Sequence, residues 1–326
     1  MEDKIFSVKD EDFEALALEV FHFQYHSNSI YRSWVDHLGI VPSKIATLQQ
    51  IPFLPINFFK THKVTATEFE PMAIFESSGT TGSSNSRHYL KSMDLYRKSF
   101  LKGFEYFYGD PDQYVFLGLL PSFLERKNSS LIVMVDELIS KSKHPFSGFY
   151  LHDHERLEKT LIQLQHDRQK IFLIGVTFAL LDFVETRQLQ LNKAIIMETG
   201  GMKGRREELT RYEVHDILKR KLGVGSIHSE YGMTELLSQA YSKNEGIFQT
   251  PPWMKILLRE DEDPLSIKQN SSTRQIKGVI NVIDLANLYS SSFIATDDLG
   301  SLLPDGFTVD GRLDKSELRG CSLLAL

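Results

Sequence analysis

Three short segments carry side chains suited to handling a nucleotide. In the run Ser77-Ser78-Gly79-Thr80-Thr81-Gly82, hydroxyls can donate to phosphate oxygens and the glycines let backbone come close to a ligand, while Arg87 adds positive charge a few residues on. The glycine-lysine-hydroxyl ending of a Walker loop is missing, and small polar residues also make ordinary surface loops. In Tyr231-Gly232-Met233-Thr234-Glu235 a stacking ring, a close-approach glycine, a hydroxyl donor and a carboxylate able to hold Mg²⁺ fall within five residues. Taken alone, that segment favours an ordinary structural reading, because tyrosines are common in cores and glutamates on surfaces. The third segment is Thr296-Asp297-Asp298, followed by Asp310-Gly311-Arg312-Leu313-Asp314. A carboxylate there can accept two ribose hydroxyls beside an arginine that meets phosphate, with turn chemistry as the plain alternative.

Cys321 is the only cysteine, so an intrachain disulfide and a multi-thiolate zinc cluster are both excluded. It lies in Leu318-Arg319-Gly320-Cys321-Ser322, where Arg319 would favour the thiolate if it sits near the sulfur; the apolar residues that follow also suit a buried, inert thiol. Other candidates are weaker. His152-Asp153-His154 has metal-ligand residue types only at alternating positions and reads as a solvated loop. Ser122, Ser130 and Ser147 lack the glycine-x-serine-x-glycine setting of a hydrolase nucleophile. The 22 phenylalanines belong mainly to a core, with some available to line a pocket.

These groups need a scaffold. Apolar residues at helical spacing predict helices over 11–25, 92–108, 155–168, 178–187 and 205–222, with Gly109 as a stop. Strand-like runs fall at 72–75, 114–120, 131–135, 170–176 and 194–197, and their alternation with helices predicts mainly parallel, helix-flanked sheets. Two prolines in 51–60 make that segment an extended connector. After Tyr241 the pattern turns to short β segments, notably 278–283 and 292–295. The expected organisation is therefore an α/β core over 1–240, which the resemblance given below would make the acid- and ATP-binding part, and a β-rich subdomain over 241–326.

Composition sets the outer bounds. With 41% hydrophobic and 25% charged residues the 326-residue chain is of the folded, water-soluble kind. Its 43 acidic and 37 basic residues leave a net charge of −6, which offers nucleic acid no general attraction. The acidic start lacks the order of a secretory signal, and the longest apolar stretch, 171–181, falls short of the roughly 18–20 residues that span a bilayer. A cytoplasmic protein without a membrane span is expected, and an oligomer is compatible with the sequence.

In this order and separation the three segments resemble the adenylate-forming superfamily of acyl-CoA synthetases, luciferase-like ligases and phenylacetate-CoA ligases. A closer resemblance, over about residue 51 to the C-terminus, is to its LuxE acyl-protein synthetase branch. That likeness is carried by the Ser77–Gly82 loop continuing to Ser86-Arg87-His88, by Leu120-Pro121-Ser122-Phe123-Leu124-Glu125-Arg126 with Ser129-Ser130-Leu131, and by Ser147-Gly148-Phe149-Tyr150. The resemblance implies the superfamily's N-terminal fold, with ATP and Mg²⁺ as cofactors. It implies that Ser77, Ser78, Gly79, Thr80, Thr81 and Gly82 handle pyrophosphate, Gly200 and Gly201 the adenine side, and Tyr231, Gly232 and Thr234 the adenine and α-phosphate. Glu235 would hold Mg²⁺, Asp298 the ribose, and Arg312 with Asp314 would match the family's arginine and hinge aspartate.

The activity so implied is adenylation of a carboxylic acid of fatty type, then acyl transfer to Cys321 and on to an acyl-accepting protein such as an acyl reductase. The alternatives are a CoA or carrier-protein ligase of the phenylacetate type and a non-catalytic nucleotide-binding subunit. Three departures accompany the likeness. Asp297 replaces the usual glycine before Asp298, with an expected effect on the local turn or metal balance. The usual proline-lysine after the phosphate loop is missing, leaving Arg87 as the nearby cation. The sequence ends soon after Asp314, so the mobile C-terminal lid is expected to be absent.

Overall fold

The computed structural model describes residues 1–77, 85–122, 124–200, 209–261, 263, 265–269 and 275–313. A short α1 (Glu2–Ile5) leads into α2 (Phe13–Ser27) and α3 (Ser29–His37). Phe13, Leu16, Ala17, Val20 and Phe21 recur at the spacing of one helix face, and all are buried on α2. Asn28 separates the two helices, its side chain accepting from the Tyr31 N–H as a cap for α3. Deeper in α2, the buried Gln24 side chain donates to the carbonyls of Asn287 and Leu288 and accepts from the Ser292 N–H. The N-terminal helices are thereby tied to the C-terminal third of the chain.

The proline-bearing run is extended only in part, as β1 (Leu54–Pro55), before a helical turn, α4 (Phe58–Thr61). Next, β2 (Ala73–Glu76) and β3 (Arg87–Leu90) pair antiparallel, so that the serine- and threonine-rich segment is the connection of a hairpin. The helix α5 (Met93–Tyr108) starts where the Ser92 hydroxyl accepts from the Leu95 N–H and stops at Gly109, whose φ of 83° suits glycine.

From here strand and helix alternate through β4 (Tyr114–Leu119), α6 (Ser130–Ser142), β5 (Gly148–Phe149), α7 (His154–Leu164), β6 (Lys170–Val176), α8 (Thr177–Val184), β7 (Ala194–Thr199), α9 (Arg211–Leu222), β8 (His228–Tyr231) and β9 (Ala240–Ser242). The sheet order is β5-β4-β6-β7-β8-β9, with every neighbouring pair parallel except β8 with β9. Buried along almost their whole length, β4 and β6 show why they read as unbroken apolar runs rather than alternating ones.

One expectation is corrected here. Residues 131–135, read as a strand, lie in α6, where Ile132, Val135, Leu138 and Ser142 form a buried face and the helix packs on β4. Five β-branched and apolar residues cannot distinguish a buried strand from the inner face of a helix; the length of the continuation decides it.

The remaining strands, β10 (Met254–Arg259), β11 (Ile276–Asp284), β12 (Phe293–Leu303) and β13 (Gly306–Arg312), form an antiparallel meander. In that second sheet β1 and β13 both pair with β12, β1 in parallel at its start and β13 antiparallel towards its end. The proline-containing β1 thus occupies a sheet edge, where a missing donor is tolerated. A single apolar cluster runs through both sheets and the helices around them. The architecture is α/β, with mainly parallel, helix-flanked strands and a β-rich C-terminal part. Among the described residues no helix is long and apolar enough to cross a membrane.

Candidate active site

In a parallel sheet the carboxyl ends of the strands open towards ligands, and three such ends lie side by side here. Val176 is in register with Thr199, and Thr199 with Glu230, which places the ends of β6, β7 and β8 next to one another. Gly200, the first residue past β7, has φ 66°, and its carbonyl accepts from the Thr177 hydroxyl. Gly232 follows β8 at a close approach: a Cβ there would stand 2.2 Å from Glu230 Oε1. Gly201 lies outside the described residues.

Tyr231, Asp298 and Arg312 meet directly. The Tyr231 hydroxyl donates to Asp298 Oδ2 at 2.9 Å, and Arg312 Nε donates to Oδ1 at 3.0 Å. Asp298 and Arg312 are cross-strand partners of β12 and β13, next to a register shift between Leu299 and Gly300. Burial, and then the Asp298 carboxylate, push the Tyr231 phenol well above its usual range, which keeps it a donor. Its ring packs in a cluster with Phe248 and Phe307, at centroid distances of 6.0 and 5.7 Å. Asp298 is 6% exposed whereas the Arg312 side chain is 82% exposed, so most of the guanidinium is open to an incoming anion. Asp297, expected to affect a turn, stands within β12, and its carbonyl accepts from the Leu313 N–H at 2.8 Å.

Thr234 and Glu235 belong to the loop between β8 and β9. Glu235 is buried, which raises its carboxyl, while the Ser86 hydroxyl and the charges of Arg312 and Lys60 favour its ionised form. Asn287 Nδ2 donates to the Glu235 carbonyl at 2.7 Å, and His88 Nδ1 lies 2.8 Å from the Thr234 carbonyl. The following turn is anchored by the buried Asp284, which accepts from the backbone of Leu237 and Ser238 and from the Ser238 hydroxyl.

Of the hairpin connection, the rim is described. Ser77 N–H donates to the Ser86 carbonyl at 3.1 Å, and Ser86 N–H donates to Ser77 Oγ at 3.0 Å, closing the neck of the loop. Ser78, Gly79, Thr80, Thr81 and Gly82 lie outside the described residues, as do Asp314 and Cys321. Arg87 is exposed on β3, with Nε 3.6 Å from Glu76, and makes no described contact with Tyr231, Glu235, Asp298 or Arg312.

Several polar residues at this edge fall outside the sequence motifs. Glu198, on β7, accepts from Thr177 at 2.9 Å and lies 3.4 Å from Arg211 and 3.6 Å from His215; although burial opposes ionisation, these partners hold its carboxyl below the usual range. Glu230, hydrogen-bonded by the Thr199 hydroxyl, is instead raised to about 7 by burial and by Glu198 nearby. Arg211 also donates to the Val309 carbonyl at 2.8 Å, linking α9 to the strand that carries Arg312. The spacing of β-strand ends could have flagged Glu198 and Glu230, but their partners are distant in sequence. The weaker candidates resolve as structure: Glu125 accepts from the backbone and hydroxyl of Ser122 and pairs with His152 at 2.8 Å, which clamps an exposed loop.

A single carboxylate such as Glu235, partly offset by neighbouring cations, suits a hard ion that takes its other ligands from phosphate and water. Among the described residues no group of three or more His, Cys, Asp or Glu side chains forms a self-sufficient metal cage.

The family model for the acyl-protein synthetase LuxE matches residues 6–325. The long-chain-fatty-acid–luciferin-component ligase of Vibrio harveyi is 25% identical over 330 residues, covering 93% of this chain and 84% of that protein. Among solved structures, O-succinylbenzoate coenzyme A synthetase (MenE) from Bacillus subtilis, in complex with ATP and magnesium ion, aligns with a TM-score of 0.50 at 16% identity. That alignment covers 75% of this chain and 52% of MenE, so the chain spans about half the length of MenE, and the likeness is one of fold.

Proposed function

The chain belongs to the LuxE acyl-protein synthetase family of ligases, and on that premise we propose that it uses ATP to activate a fatty acid and then carries the acyl group on Cys321. In the first step a carboxylate oxygen attacks the α-phosphorus of ATP and the bond to the bridging oxygen breaks. Pyrophosphate leaves and an acyl-adenylate remains. In the second, the Cys321 thiolate attacks the acyl carbon, the bond to the phosphate oxygen breaks, and AMP leaves a thioester behind. An acyl-accepting protein, of the reductase kind, then takes the acyl group.

The observation that carries this reading is the Tyr231–Asp298–Arg312 constellation beside Glu235. Asp298 would orient the ribose through its hydroxyls, and Arg312, with its exposed guanidinium, would meet charge developing on the α-phosphate. Tyr231 would hold Asp298 in place and offer its ring edge to the base. Glu235 would hold Mg²⁺, which when bound neutralises phosphate charge. Ser77, Ser78, Gly79, Thr80, Thr81, Gly82 and Arg87 would attend the departing pyrophosphate, and Gly200 with Gly201 would border the adenine.

Acid-dependent exchange of labelled pyrophosphate into ATP tests the first step without needing the acceptor. Fatty acids should support exchange and short aromatic acids should not. A Cys321→Ser variant should keep the exchange and lose a hydroxylamine-sensitive acyl adduct. An undiminished adduct in that variant removes the carrier role. Acyl-CoA formed at an unchanged rate without Cys321 would instead assign a CoA ligase, and tight Mg-ATP binding without exchange for any acid, even with the acceptor protein added, would assign a non-catalytic subunit.

A further inference from the structure

We infer that His88 is a positioning residue that locks the Thr234–Glu235 segment to the phosphate-loop hairpin, acting as the neutral imidazole protonated on Nδ1. The inference rests on the reading above, in which that hairpin and Glu235 serve Mg-ATP.

The geometry starts with the pleat of β3. Residues two apart on a strand face the same way, and Ser86 and His88 are both buried while Arg87 between them is exposed. Their side chains reach two consecutive residues of the other segment. His88 Nδ1 lies 2.8 Å from the Thr234 carbonyl, and the Ser86 hydroxyl is near enough to the Glu235 carboxylate to favour its ionised form. The same Ser86 closes the neck of the loop through its backbone pair with Ser77. A displacement of the hairpin is therefore passed through the His88 bond to the residue before the candidate metal carboxylate, with the Ser86 hydroxyl near the carboxylate itself.

The protonation state follows from the partner. A carbonyl oxygen only accepts, so the hydrogen bond exists only if Nδ1 carries the proton. The ring is 1% exposed and packs edge-on against Phe59, with centroids 5.8 Å apart at 86°. Among the described residues its polar partners are the Thr234 carbonyl and the Asn287 side chain, which favour a proton on the ring, while burial outweighs them and keeps the ring neutral. Asn287 in turn donates to the Glu235 carbonyl at 2.7 Å and to the Ser291 carbonyl at 2.9 Å. Glu235 is thus held by Asn287 at its own carbonyl and by His88 at the preceding carbonyl, with the Ser86 hydroxyl favouring its ionised carboxylate.

The two amide replacements separate this role from plain packing. His88→Asn places an N–H near the position of Nδ1, whereas His88→Gln places one near Nε2. Calorimetric titration with Mg-ATP, which needs neither acid nor acceptor, should show binding weakened roughly 10-fold or more in His88→Gln, as for other groups that orient a ligand to a metal, and restored to within about 3-fold of wild type in His88→Asn. Equal Mg-ATP affinity in wild type and in a folded His88→Gln overturns the inference while leaving the proposed function standing. Equal losses in both variants overturn it as well, because they would report packing alone. Wild-type protein that fails to bind Mg-ATP fails the reading of the site itself. If neither variant folds, the nitrogen-15 spectrum of the wild-type imidazole decides: Nδ1 protonated and Nε2 bare is expected, and the reverse tautomer removes the bond on which the inference depends.

Discussion

Asp298 shows how much one side chain can organise. Each of its oxygens accepts one bond, from Tyr231 and from Arg312, and it is buried where Arg312 is not. Charge-assisted bonds of this kind are stronger than neutral ones, though the exposure of Arg312 reduces what the ion pair contributes. Asp298→Asn keeps the shape, turns one acceptor into a donor and removes the charge that holds Arg312. We expect a stability loss of about 1–2 kcal/mol in urea unfolding and a Kd for Mg-ATP raised about 10-fold. Unchanged values in both would detach Asp298 from nucleotide binding. Types and order of Tyr231, Asp298 and Arg312 were legible in the sequence. The part played by Ser86, His88 and Asn287 was not, since serine, histidine and asparagine declare nothing until their partners are known.

Among the elements, the β12–β13 pair is decisive, because its register determines whether Asp298 faces Arg312. The pairing moves by one residue between Leu299↔Gly311 and Gly300↔Val309. Glycine is needed at 300 for space: a Cβ there would lie 2.3 Å from the Thr308 carbonyl oxygen and 2.8 Å from Ile280 Cδ1. Backbone cannot yield as a flexible side chain would, so Gly300→Ala should either push the strands apart or slip the register. The expected result is destabilisation of about 1–3 kcal/mol, the usual cost of overpacking, together with weakened Mg-ATP binding. A variant with a wild-type urea midpoint and wild-type affinity would show that the bulge does not govern the site. Helix α6 teaches the opposite lesson about elements, since its local residues favour a strand and only the buried face from Ile132 to Ser142 makes it a helix.

Across the whole molecule, buried titratable groups couple stability to pH with opposing signs. Burial lowers His88 from an ordinary 6.5 to about 4, so unfolding takes up a proton that the folded protein refuses. Its contribution is fully present above pH 6.5 and is lost as pH falls towards 4. The shift corresponds to roughly 3 kcal/mol at 1.36 kcal/mol per unit. His228, also lowered to about 4, acts in the same window. Glu230, raised to about 7, runs the other way: its contribution is present below pH 4.5 and is lost as pH rises through 7. Because these offset in the total, a single-residue comparison isolates the histidine. Relative to His88→Asn, the wild type should lose stability as pH falls from 6.5 to 4, measured as thermal midpoints of the two proteins. A constant difference over that range would mean that His88 is not held neutral by the fold.

What the sequence determined by itself is local: the alternation of apolar strands with amphipathic helices, the change to short β segments after Tyr241, the stop at Gly109, and the glycine- and hydroxyl-rich words that the proposed function assigns to a nucleotide. Each of these is written in neighbouring residues, and short-range sterics and periodicity suffice to read them. Tertiary structure alone decided which words meet. Tyr231 finds Asp298 across 67 positions and His88 finds Thr234 across 146, while Arg87, adjacent to the loop in sequence, turns away to Glu76. Such meetings depend on sheet order, register and which face of a strand a side chain takes, and none of these is a property of the local chain.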